Sequence, residues 1–509
     1  MRNLVVCADG TWNTLENEDE GDPAPTNVAR IFAAAPDIDS GNGTHQLTYY
    51  HEGVGTQGGI IARLLGGGIG LGLNQNIMSG FKWLSVNYKP DDRIFLFGFS
   101  RGAYTVRALA GMMNQSGLID FSSADMSDHK IWNQVEAVFA RYKNKAGHSH
   151  ERALRNASFH TDADVHFMGV WDTVGSLGIP DHLGWLNLLD NPSRYKFLNT
   201  VLGENVKHAR HAVAIDEMRQ SFTPTLWTEL DGSRDVKQVW FTGVHSDVGG
   251  GYAENELADI TLSWMLKEAK QKGLKLRSGL EDQIKGNPQG LLHNSLTGVF
   301  KKLQSRPRSI PAISQRTAKA TVDGSVFERQ KNSPLSGINY RATKVLKKNE
   351  TAKLDIFAVR PWNETGVFLQ AGKQYRFSAS GEWLDASIKA GPEGTGDRNF
   401  QPGQIAHLAG GTFGLAEALF RRVTSNKQAE FAMTRREGKM PWFSLVGVVA
   451  NGKGTDESGN PSQHESFLIG AGTEFTPEQD GYLYCFANDA WQYYHNNRGS
   501  VSLSITCRD

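Results

Sequence analysis

The sequence predicts an α/β fold with a mostly parallel sheet flanked by helices, followed by a separate all-β sandwich domain. Up to about residue 265, short apolar runs alternate with stretches of helical periodicity, the pattern of successive strand–helix–strand units. The apolar runs lack clean polar alternation, as expected for strands that are buried on both faces. From about residue 350, apolar and polar residues alternate with a period of two, and turn signals recur. This change of pattern predicts a domain boundary near residue 345.

The first domain, residues 1–345, contains five predicted strands. Helical stretches separate several of them, and crossover connections of this kind are right-handed and make the strands parallel. Residues 274–345 form a weakly patterned, partly basic closing segment, and residues 346–509 form the sandwich. The predicted strands are 3–10, 46–55, 93–100, 164–172 and 236–247, and the helical stretches are 74–88, 103–117 and 257–273.

The composition excludes several classes of protein. Lys plus Arg and Asp plus Glu both number 54 among 509 residues, so the formal net charge is zero and no nucleic-acid partner is expected. The N-terminal residues enter a strand-like run directly, which predicts synthesis in the cytoplasm without a Sec signal. No stretch reaches the roughly 18 continuous apolar residues that a membrane-spanning helix needs.

Three cysteines are too few for a disulfide framework. Cys485 and Cys507 lie in strand-like runs near the C-terminus, and they could pair if those strands are neighbours. The alternative is that all three cysteines, including Cys7, are reduced thiols of the core.

Each predicted strand of the first domain ends in polar or glycine-rich residues. Ligands of open α/β sheets bind outside the carboxyl ends of the strands, so these groups are expected to share one crevice. The groups are Asp9-Gly10, Gly53-Val54-Gly55, Ser100, Asp172-Thr173 and His245-Ser246-Asp247.

Residues 98–102, GFSRG, have the G-x-S-x-G pattern between a predicted strand and a predicted helix. In α/β-hydrolases this pattern forms a strained turn that exposes a serine nucleophile. The alternative interpretation is that Ser100 caps the helix. The strand–turn–helix context favours the nucleophile.

A serine nucleophile needs a general base and a carboxylate that orients it. Asp172 and His245 end the next two predicted strands, in the order Ser, acid, His that α/β-hydrolases use. Both residues also have structural interpretations, as a turn former and as a histidine of a glycine-rich turn. Asp247 and Asp216 are alternative acids.

The wall of the oxyanion site is predicted to include Arg101, the residue after the nucleophile, through its backbone N–H. The loop of Asp9, Gly10 and Thr11 is predicted to form the rest of this wall. Only the topology of the strand ends supports the assignment of this loop. The chemistry itself needs no cofactor.

Six motifs follow one another in a fixed order along the first domain. Together with residues 323–342, they resemble the signatures of a bacterial and fungal α/β-hydrolase domain family that includes the type VI secretion phospholipase effectors. The motifs are VVCADGTWN, PTNVARIF, GFSRGAYTVRALAGMM, GVWDTVGSLG, HAVAIDEMRQSF and FTGVHSDVGGGY.

The resemblance implies a serine lipase of the phospholipase A type (EC 3.1.1), with Ser100, Asp172 and His245 as its triad. It also implies a lipid or phospholipid ester substrate and peripheral membrane contact. Export by type VI secretion to a target cell envelope, with secretion-machine and immunity-protein partners, is a further implication.

Two motifs of the second domain, ETGVFLQAGKQYRFSASGEW and NDAWQYYHNNRGSVSLSI, resemble a small bacterial calcium-dependent galactose-binding lectin. The resemblance implies that Ca²⁺ is held by Asp489, Asn496 and Asn497 with the carbonyl of Tyr493, and oxygen ligands suit this cation. A carbohydrate ligand would stack on the rings of Trp491 and Tyr494. The alternative interpretation is a polar turn with packing aromatics.

The sequence therefore predicts a serine hydrolase of lipid esters that carries a lectin-like module. Two alternatives stay open: a carbohydrate esterase targeted by that module, and a catalytically inactive glycan-binding protein. The intact Ser, Asp and His argue against the inactive protein. Residues 181–197 are predicted either as a lid over an acyl pocket or as packing.

Overall fold

The computed structural model describes most of residues 2–509. The residues outside this description are 11–12, 40–44, 54–68, 123–125, 145–146, 176–200, 229–231, 280, 299, 301–303, 315–320, 335–338, 396–435 and 456–460. The predicted lid at 181–197 falls among them. Within the described residues, no helix combines the length and apolar character needed to cross a membrane.

Strands and helices alternate in the first domain, as the apolar pattern predicts. Its described strands are β1 (Asn3–Ala8), β2 (Glu18–Asp19), β3 (Asp22–Pro23), β4 (Ile38–Asp39), β5 (His45–His51), β6 (Arg93–Phe99), β7 (Leu118–Ile119), β8 (Phe159–His160), β9 (Val165–Trp171), β10 (Val206–Ala214) and β11 (Asp235–Phe241). The described helices are α1 (Asn27–Ala34), α2 (Ile69–Asn87), α3 (Arg101–Ser116), α4 (Asp128–Tyr142), α5 (His148–Ala153), α6 (His245–Gly249), α7 (Glu256–Gln271) and, in the closing segment, α8 (Gly324–Lys331).

Seven strands form one sheet in the order β11-β10-β9-β6-β1-β5-β4. Its neighbouring strands are parallel except for the edge pair of β4 and β5. The register aligns Ala8 with Gly98 and Phe99 with Trp171, so the strands end at a common edge. The prediction of a mostly parallel α/β sheet is confirmed.

The sheet is buried on both faces. Leu4 and Leu96 belong to one apolar core that includes residues of α2, α3 and α4. Val5 and Phe97, one residue further along the same strands, belong to a second core with residues of α1 and α7. Side chains of successive strand residues point to opposite faces, so unbroken apolar runs supply both cores.

The strand β10 is absent from the sequence prediction, although it lies between β9 and β11. Its sequence, VKHARHAVA, is charged in the first half. The Arg210 side chain is 1% exposed and pairs with Asp235 at 2.8 Å and Glu268 at 2.5 Å. Because these partners lie 25 and 58 residues away, local periodicity does not reveal that the strand is buried.

The second domain is all-β, as predicted, and its paired strands are antiparallel. They are β12 (Thr351–Phe357), β13 (Asn363–Leu369), β14 (Tyr375–Asp385), β15 (Ile388–Ala390), β16 (Leu445–Ala450), β17 (Glu465–Leu468), β18 (Gly472–Phe475), β19 (Gly481–Ala487) and β20 (Arg498–Cys507). One sheet has the order β12-β20-β14-β15, with β18 beside β14, and the other has the order β13-β19-β16-β17. Residues from both sheets, such as Trp383 and Leu483, share one apolar core.

The disulfide considered between Cys485 and Cys507 does not form. Cys485 lies on β19 and Cys507 on β20, which belong to different sheets. Both residues and Cys7 are buried free thiols. The interpretation of three reduced core cysteines is correct.

The closing segment lies between the two domains. Trp240 of the first sheet, Ile310 and Ile313 of the closing segment and Tyr482 of the second domain share one apolar cluster. The Ile313 N–H also donates a hydrogen bond to the Tyr482 hydroxyl at 2.7 Å. The boundary near residue 345 stays a prediction, and β12 is the first strand after it.

Candidate active site

Ser100 occupies a sharp turn between β6 and α3. Its φ of 56° and ψ of −120° are rare for a residue with a side chain, and such backbone strain is characteristic of functional sites. The Ser100 N–H donates to the Trp171 carbonyl at 3.1 Å, which ties the turn to the end of β9. Its side chain makes no capping hydrogen bond to the helix. The capping interpretation therefore does not account for this serine.

The two glycines of the G-x-S-x-G pattern are required by close backbone contacts. A Cβ on Gly98 would lie 2.5 Å from the Gly102 carbonyl oxygen. A Cβ on Gly102 would lie 2.0 Å from the Ala8 carbonyl oxygen of β1. Both distances are far below van der Waals contact, so the turn can form only with glycine at these positions.

Asp172 and His245 are in direct contact at the same edge of the sheet. Asp172 follows β9, and His245 begins the short helix α6 after β11. The His245 Nδ1 lies 2.5 Å from the Asp172 Oδ2, and both side chains are buried. Since a buried carboxylate accepts hydrogen bonds, Nδ1 carries a proton and Nε2 is left as the acceptor of the neutral ring.

The His245 ring lies in an apolar environment. The rings of Phe99 and Phe222 have their centroids 4.5 Å and 4.8 Å from that of the histidine. Burial lowers the pKa of His245, although the hydrogen bond to Asp172 acts in the opposite direction. The imidazole is therefore neutral at pH 7, as a general base must be.

Arg308 of the closing segment pairs with both oxygens of Asp172. Its Nη1 lies 2.6 Å from Oδ1 and its Nη2 lies 2.9 Å from Oδ2. The Ala214 N–H also donates to Oδ1 at 3.0 Å. Burial by itself would raise the pKa of Asp172, but the charge of Arg308 and the hydrogen bond from His245 hold that pKa well below its usual range. Asp172 is therefore ionised.

The alternative acids Asp247 and Asp216 have other partners. Asp247 accepts from the Val244 N–H at 2.9 Å and pairs with His293 at 2.6 Å. Asp216 accepts from the Tyr340 hydroxyl at 2.7 Å and from the Arg341 guanidinium at 2.8 Å. Among these three carboxylates, Asp172 is the one that contacts the His245 ring.

The predicted oxyanion wall is corrected in part. The Asp9 carboxylate accepts from Thr26 at 2.6 Å, from Tyr50 at 2.7 Å and from the Gly10 N–H at 2.7 Å. The Gly10 N–H is thus occupied and cannot serve an oxyanion, and Asp9 organises its own loop. Burial raises the pKa of Asp9 to about 6.

The structure places the other residues of the predicted oxyanion wall as follows. Gly10 does lie against the nucleophile, since a Cβ on it would be 3.2 Å from the Ser100 Cβ. Thr11 lies outside the described residues. Arg101 is the buried first residue of α3, at the positive end of the helix dipole. Its N–H stays the predicted oxyanion donor.

Comparison with known families identifies the family of the first domain. A family model described as "T6SS, Phospholipase effector Tle1-like, catalytic domain" matches residues 2–268, slightly more than half of the chain. The chain belongs to this family. The predicted resemblance of the first domain is therefore confirmed, and we call residues 2–268 the Tle1-like catalytic domain.

The individual relatives are more distant. The Tle1-like chain is 28% identical over 247 residues to "Uncharacterized protein YEL023C" of Saccharomyces cerevisiae, with 45% of this chain and 33% of the yeast protein covered. A solved structure, "Crystal structure of an uncharacterized protein from Pseudomonas aeruginosa", is 19% identical with a TM-score of 0.36, covering 57% of this chain and 49% of that one. A second, "EclA N-terminal domain; PllA-like lectin", is 18% identical with a TM-score of 0.18, covering 30% and 94%. The chain thus spans about a third of the curated yeast relative.

Outside the Tle1-like catalytic domain, the predicted calcium ligands are close neighbours in the loop between β19 and β20. Asp489 is fully buried, and its Oδ2 accepts from the Asn497 Nδ2 at 2.9 Å. Tyr493 and Asn496 belong to the same loop, at the short 3₁₀ turn Tyr494–Asn496. Among the described residues, no cluster of three or more His, Cys, Asp and Glu side chains is arranged to hold a metal ion. The predicted calcium ligands are not a cluster of that kind, because most of their donors are amide and carbonyl oxygens.

The two predicted sugar-stacking residues have different environments. Tyr494 is 4% exposed, and its hydroxyl donates to the Ala487 carbonyl at 2.6 Å, so the prediction that its ring stacks on a sugar is wrong. The Trp491 ring is half-buried, with the Arg436 guanidinium 4.0 Å from its centroid. Its contact with a sugar stays a prediction.

Two residues of the site were missed by sequence reasoning. Arg308 stands in a basic stretch, SRPRS, that carries no catalytic pattern, and it lies beyond the Tle1-like catalytic domain. Glu217 stands beside Asp216 in a recognised motif, and its carboxylate accepts from the His245 backbone N–H at 3.2 Å. The sequence signal that could have identified Glu217 is its position next to Asp216, which was considered as an alternative acid.

Proposed function

We propose that this protein is a serine hydrolase that cleaves lipid esters through Ser100, His245 and Asp172. The observation that supports it most is the buried Asp172–His245 pair, 2.5 Å between Oδ2 and Nδ1, beside the strained Ser100 turn. The hydrogen bond from the Ser100 N–H to Trp171, the residue before Asp172, ties the nucleophile turn to the acid. Membership of a phospholipase family supports the lipid substrate.

In the proposed reaction, the Ser100 Oγ attacks the ester carbonyl while the His245 Nε2 takes the hydroxyl proton. The resulting oxyanion accepts hydrogen bonds at the start of α3, where the Arg101 N–H is the proposed donor. His245 then gives the proton to the leaving alcohol, and an acyl-enzyme forms on Ser100. A water molecule, deprotonated by His245, then attacks the acyl carbon. The bond from this carbon to the Ser100 Oγ breaks, His245 returns the proton to Oγ, and the fatty acid is released.

Asp172 stays ionised throughout this cycle. It fixes the tautomer of His245 by accepting from Nδ1, and it stabilises the imidazolium that forms at each proton transfer. Arg308 balances the charge of Asp172 in the resting state. His245 therefore begins both acylation and deacylation as a neutral ring, and it is an imidazolium between its two proton transfers in each.

The test is hydrolysis by the full chain of a fluorogenic phospholipid, a short p-nitrophenyl ester and an acetylated glycan. We expect release of fatty acid from the phospholipid, and we expect a fluorophosphonate to label Ser100 and stop the release. The control is the protein labelled by the fluorophosphonate, assayed on the same three substrates. Cleavage of the acetylated glycan in preference to the lipids would instead support a carbohydrate esterase, and turnover that survives labelling of Ser100 would contradict the mechanism.

The same proposal includes export of the protein by type VI secretion and the partners of that export. The family of type VI secretion phospholipase effectors supports export to the envelope of a target cell, where phospholipid is the available ester. A secretion machine and an immunity protein are the proposed partners. Peripheral contact with the membrane would bring the Ser100 edge of the sheet to its substrate.

We also propose that the loop around Asp489 holds Ca²⁺. The Oδ1 atoms of Asn496 and Asn497 are buried, and within the described part of the chain they have no hydrogen-bond partner. Burial and the nearby Asp385 carboxylate raise the pKa of Asp489 to about 7. Buried oxygen donors around a carboxylate fit a hard cation. Bound Ca²⁺ would supply positive charge and coordination positions for the vicinal hydroxyls of a sugar.

Calcium is expected to stabilise the C-terminal domain. Binding to the folded state alone adds RT ln(1 + [L]/Kd), about 2.7 kcal/mol at a concentration 100 times Kd. Calorimetry of the full chain with CaCl₂ and with EDTA should show a higher unfolding temperature with Ca²⁺. The gain should vanish in Asp489→Ala and persist in Asp355→Ala, which removes an exposed carboxylate of the same domain. Equal unfolding temperatures with and without Ca²⁺ would contradict the site.

A further inference from the structure

Arg308 holds the carboxylate of Asp172 by a bidentate contact. A guanidinium with two parallel N–H groups fixes the plane of the carboxylate that it binds. The same guanidinium donates to the carbonyls of Ala214 at 2.7 Å and Phe222 at 2.6 Å, so its own position is fixed. Since the His245 Nδ1 faces the Asp172 Oδ2, the plane of this carboxylate sets the orientation of the imidazole.

The three residues before Arg308 are each bonded to the C-terminal domain. The Trp362 Nε1 donates to the Ser305 carbonyl at 3.1 Å. The Arg306 Nη2 donates to the carbonyl of Ser462. The Pro307 carbonyl lies 2.9 Å from the His464 Nε2.

The neutral His464 ring contacts both Arg306 and Pro307. Its Nε2 lies 3.0 Å from the Arg306 Nε and 2.9 Å from the Pro307 carbonyl oxygen, and its Nδ1 accepts from the Gly452 N–H at 2.9 Å. Burial and the charge of Arg306 lower the pKa of His464 to about 3. The contact therefore persists over the whole pH range in which an esterase is assayed.

We propose that Arg308 is a positioning residue for the Asp172–His245 pair, and that the C-terminal domain fixes Arg308 by binding residues 305–307. This inference rests on the proposed serine hydrolase. It gives the C-terminal domain a role in catalysis that is independent of any sugar or metal. Arg308 lies outside the Tle1-like catalytic domain, so that domain depends on the rest of the chain for the partner of its acid.

The charged groups around Asp172 and His245 determine how replacing Arg308 should change the pH dependence of hydrolysis. Asp172 faces Arg308 and His245, and the buried His211 is close enough to sense its charge. His245 is also influenced by Glu217 and Arg219. Loss of the Arg308 charge leaves the Asp172 carboxylate unbalanced, so the pKa of His245 should rise. Because His245 must be neutral to act as a base, the acid limb of kcat/KM should then move to higher pH.

The first experiment measures p-nitrophenyl ester hydrolysis by the full-length wild type, Arg308→Gln and Arg308→Lys. We expect Arg308→Gln to lower kcat by about 100-fold, with little change in KM, because a small misplacement of catalytic groups costs that much. Its acid limb should move to higher pH, and Arg308→Lys should recover part of the rate. Unchanged kcat and pH profile in Arg308→Gln would overturn the proposal.

A double-mutant cycle separates positioning from a general loss of structure. In the Asp172→Asn background, Arg308→Gln should cost little more, because Arg308 acts through Asp172. The matched control is Arg329→Gln, which removes another buried arginine, one whose Nη1 donates to the Pro288 and Gly290 carbonyls. It should leave kcat and the acid limb unchanged. Equal losses from Arg308→Gln in both backgrounds would overturn the proposal.

The second experiment tests the role of the C-terminal domain through Arg306→Gln. We expect kcat to fall by about 10-fold or less, and the loss should disappear in the Arg308→Gln background. Arg376→Gln, which breaks an exposed ion pair with Glu474 of the same domain, is the control and should have no effect. A folded Arg306→Gln protein with wild-type kcat would contradict the role of the C-terminal domain.

A measurement without turnover keeps this inference separate from the proposed function. The proton between His245 and Asp172 should give a low-field NMR resonance in the wild type. This resonance should be lost or shifted in Arg308→Gln and Arg306→Gln, and kept in Arg329→Gln. If the wild type cleaves no ester, the proposed function fails, while the resonance still decides whether Arg308 orders the pair.

Discussion

Replacing Ser100 by alanine is expected to lower kcat for ester hydrolysis by about 10⁶-fold, the size of loss found when a serine protease loses its nucleophile. No acyl-enzyme can form without the Oγ, and the residual rate would come from substrate binding and the oxyanion donors alone. Steady-state hydrolysis of a phospholipid and of a p-nitrophenyl ester by both proteins measures the difference.

The stability of the same variant separates a nucleophile from a helix cap. Loss of a capping serine costs about 0.5–2 kcal/mol, whereas the Ser100 side chain makes no capping hydrogen bond. We therefore expect urea unfolding to show a change below about 0.5 kcal/mol. Ser116→Ala, the same substitution at the other end of α3, is the control and should keep full activity. Equal hydrolysis by wild type and Ser100→Ala would exclude the triad.

Replacing Gly102 by alanine is expected to prevent folding of the Tle1-like catalytic domain. The new Cβ would lie 2.0 Å from the Ala8 carbonyl oxygen and 2.6 Å from that of Asp9. Both obstacles are backbone atoms of a central strand and of its continuation, so no side-chain rotation relieves the clash. Overpacking of this kind belongs to the small set of changes that cost about 4 kcal/mol or more.

Thermal unfolding followed by circular dichroism, together with soluble yield, measures this effect. Gly324→Ala is the matched control, because nothing lies within 4 Å of a Cβ at that first position of α8. It should leave the unfolding temperature nearly unchanged. A Gly102→Ala protein with wild-type unfolding temperature would mean that α3 can move away from β1, contrary to their close packing at Gly102.

The proposed role of Arg308 changes how the C-terminal domain is understood. A lectin-like module joined by a flexible linker would be separable from the hydrolase. Here residues 305–307 are bonded to the second domain, and Arg308, the next residue, is bonded to the acid. Truncation of the C-terminal domain is therefore expected to impair the active site as well as any targeting.

The sequence by itself determined the elements whose signal is local. Apolar runs followed by glycine or polar residues identified β1, β5, β6, β9 and β11, because strands of a parallel sheet that is covered on both faces are mainly apolar in their buried parts. The glycines around Ser100 identified the turn, because close backbone packing excludes a side chain there. Chain order gave Asp172 and His245, since parallel strands end at one edge of the sheet.

Only the tertiary structure decided the features that depend on distant partners. β10 is buried in spite of Arg210 because Asp235 and Glu268 neutralise its charge from other elements. The choice of Asp172 over Asp247 and Asp216 depends on which carboxylate reaches the His245 ring. Arg308 contacts Asp172, which lies 136 residues earlier in the chain. Tyr494 is buried by the packing of its own domain. Local periodicity carries no information on such contacts, because charge neutralisation and burial are set by groups that only folding brings together.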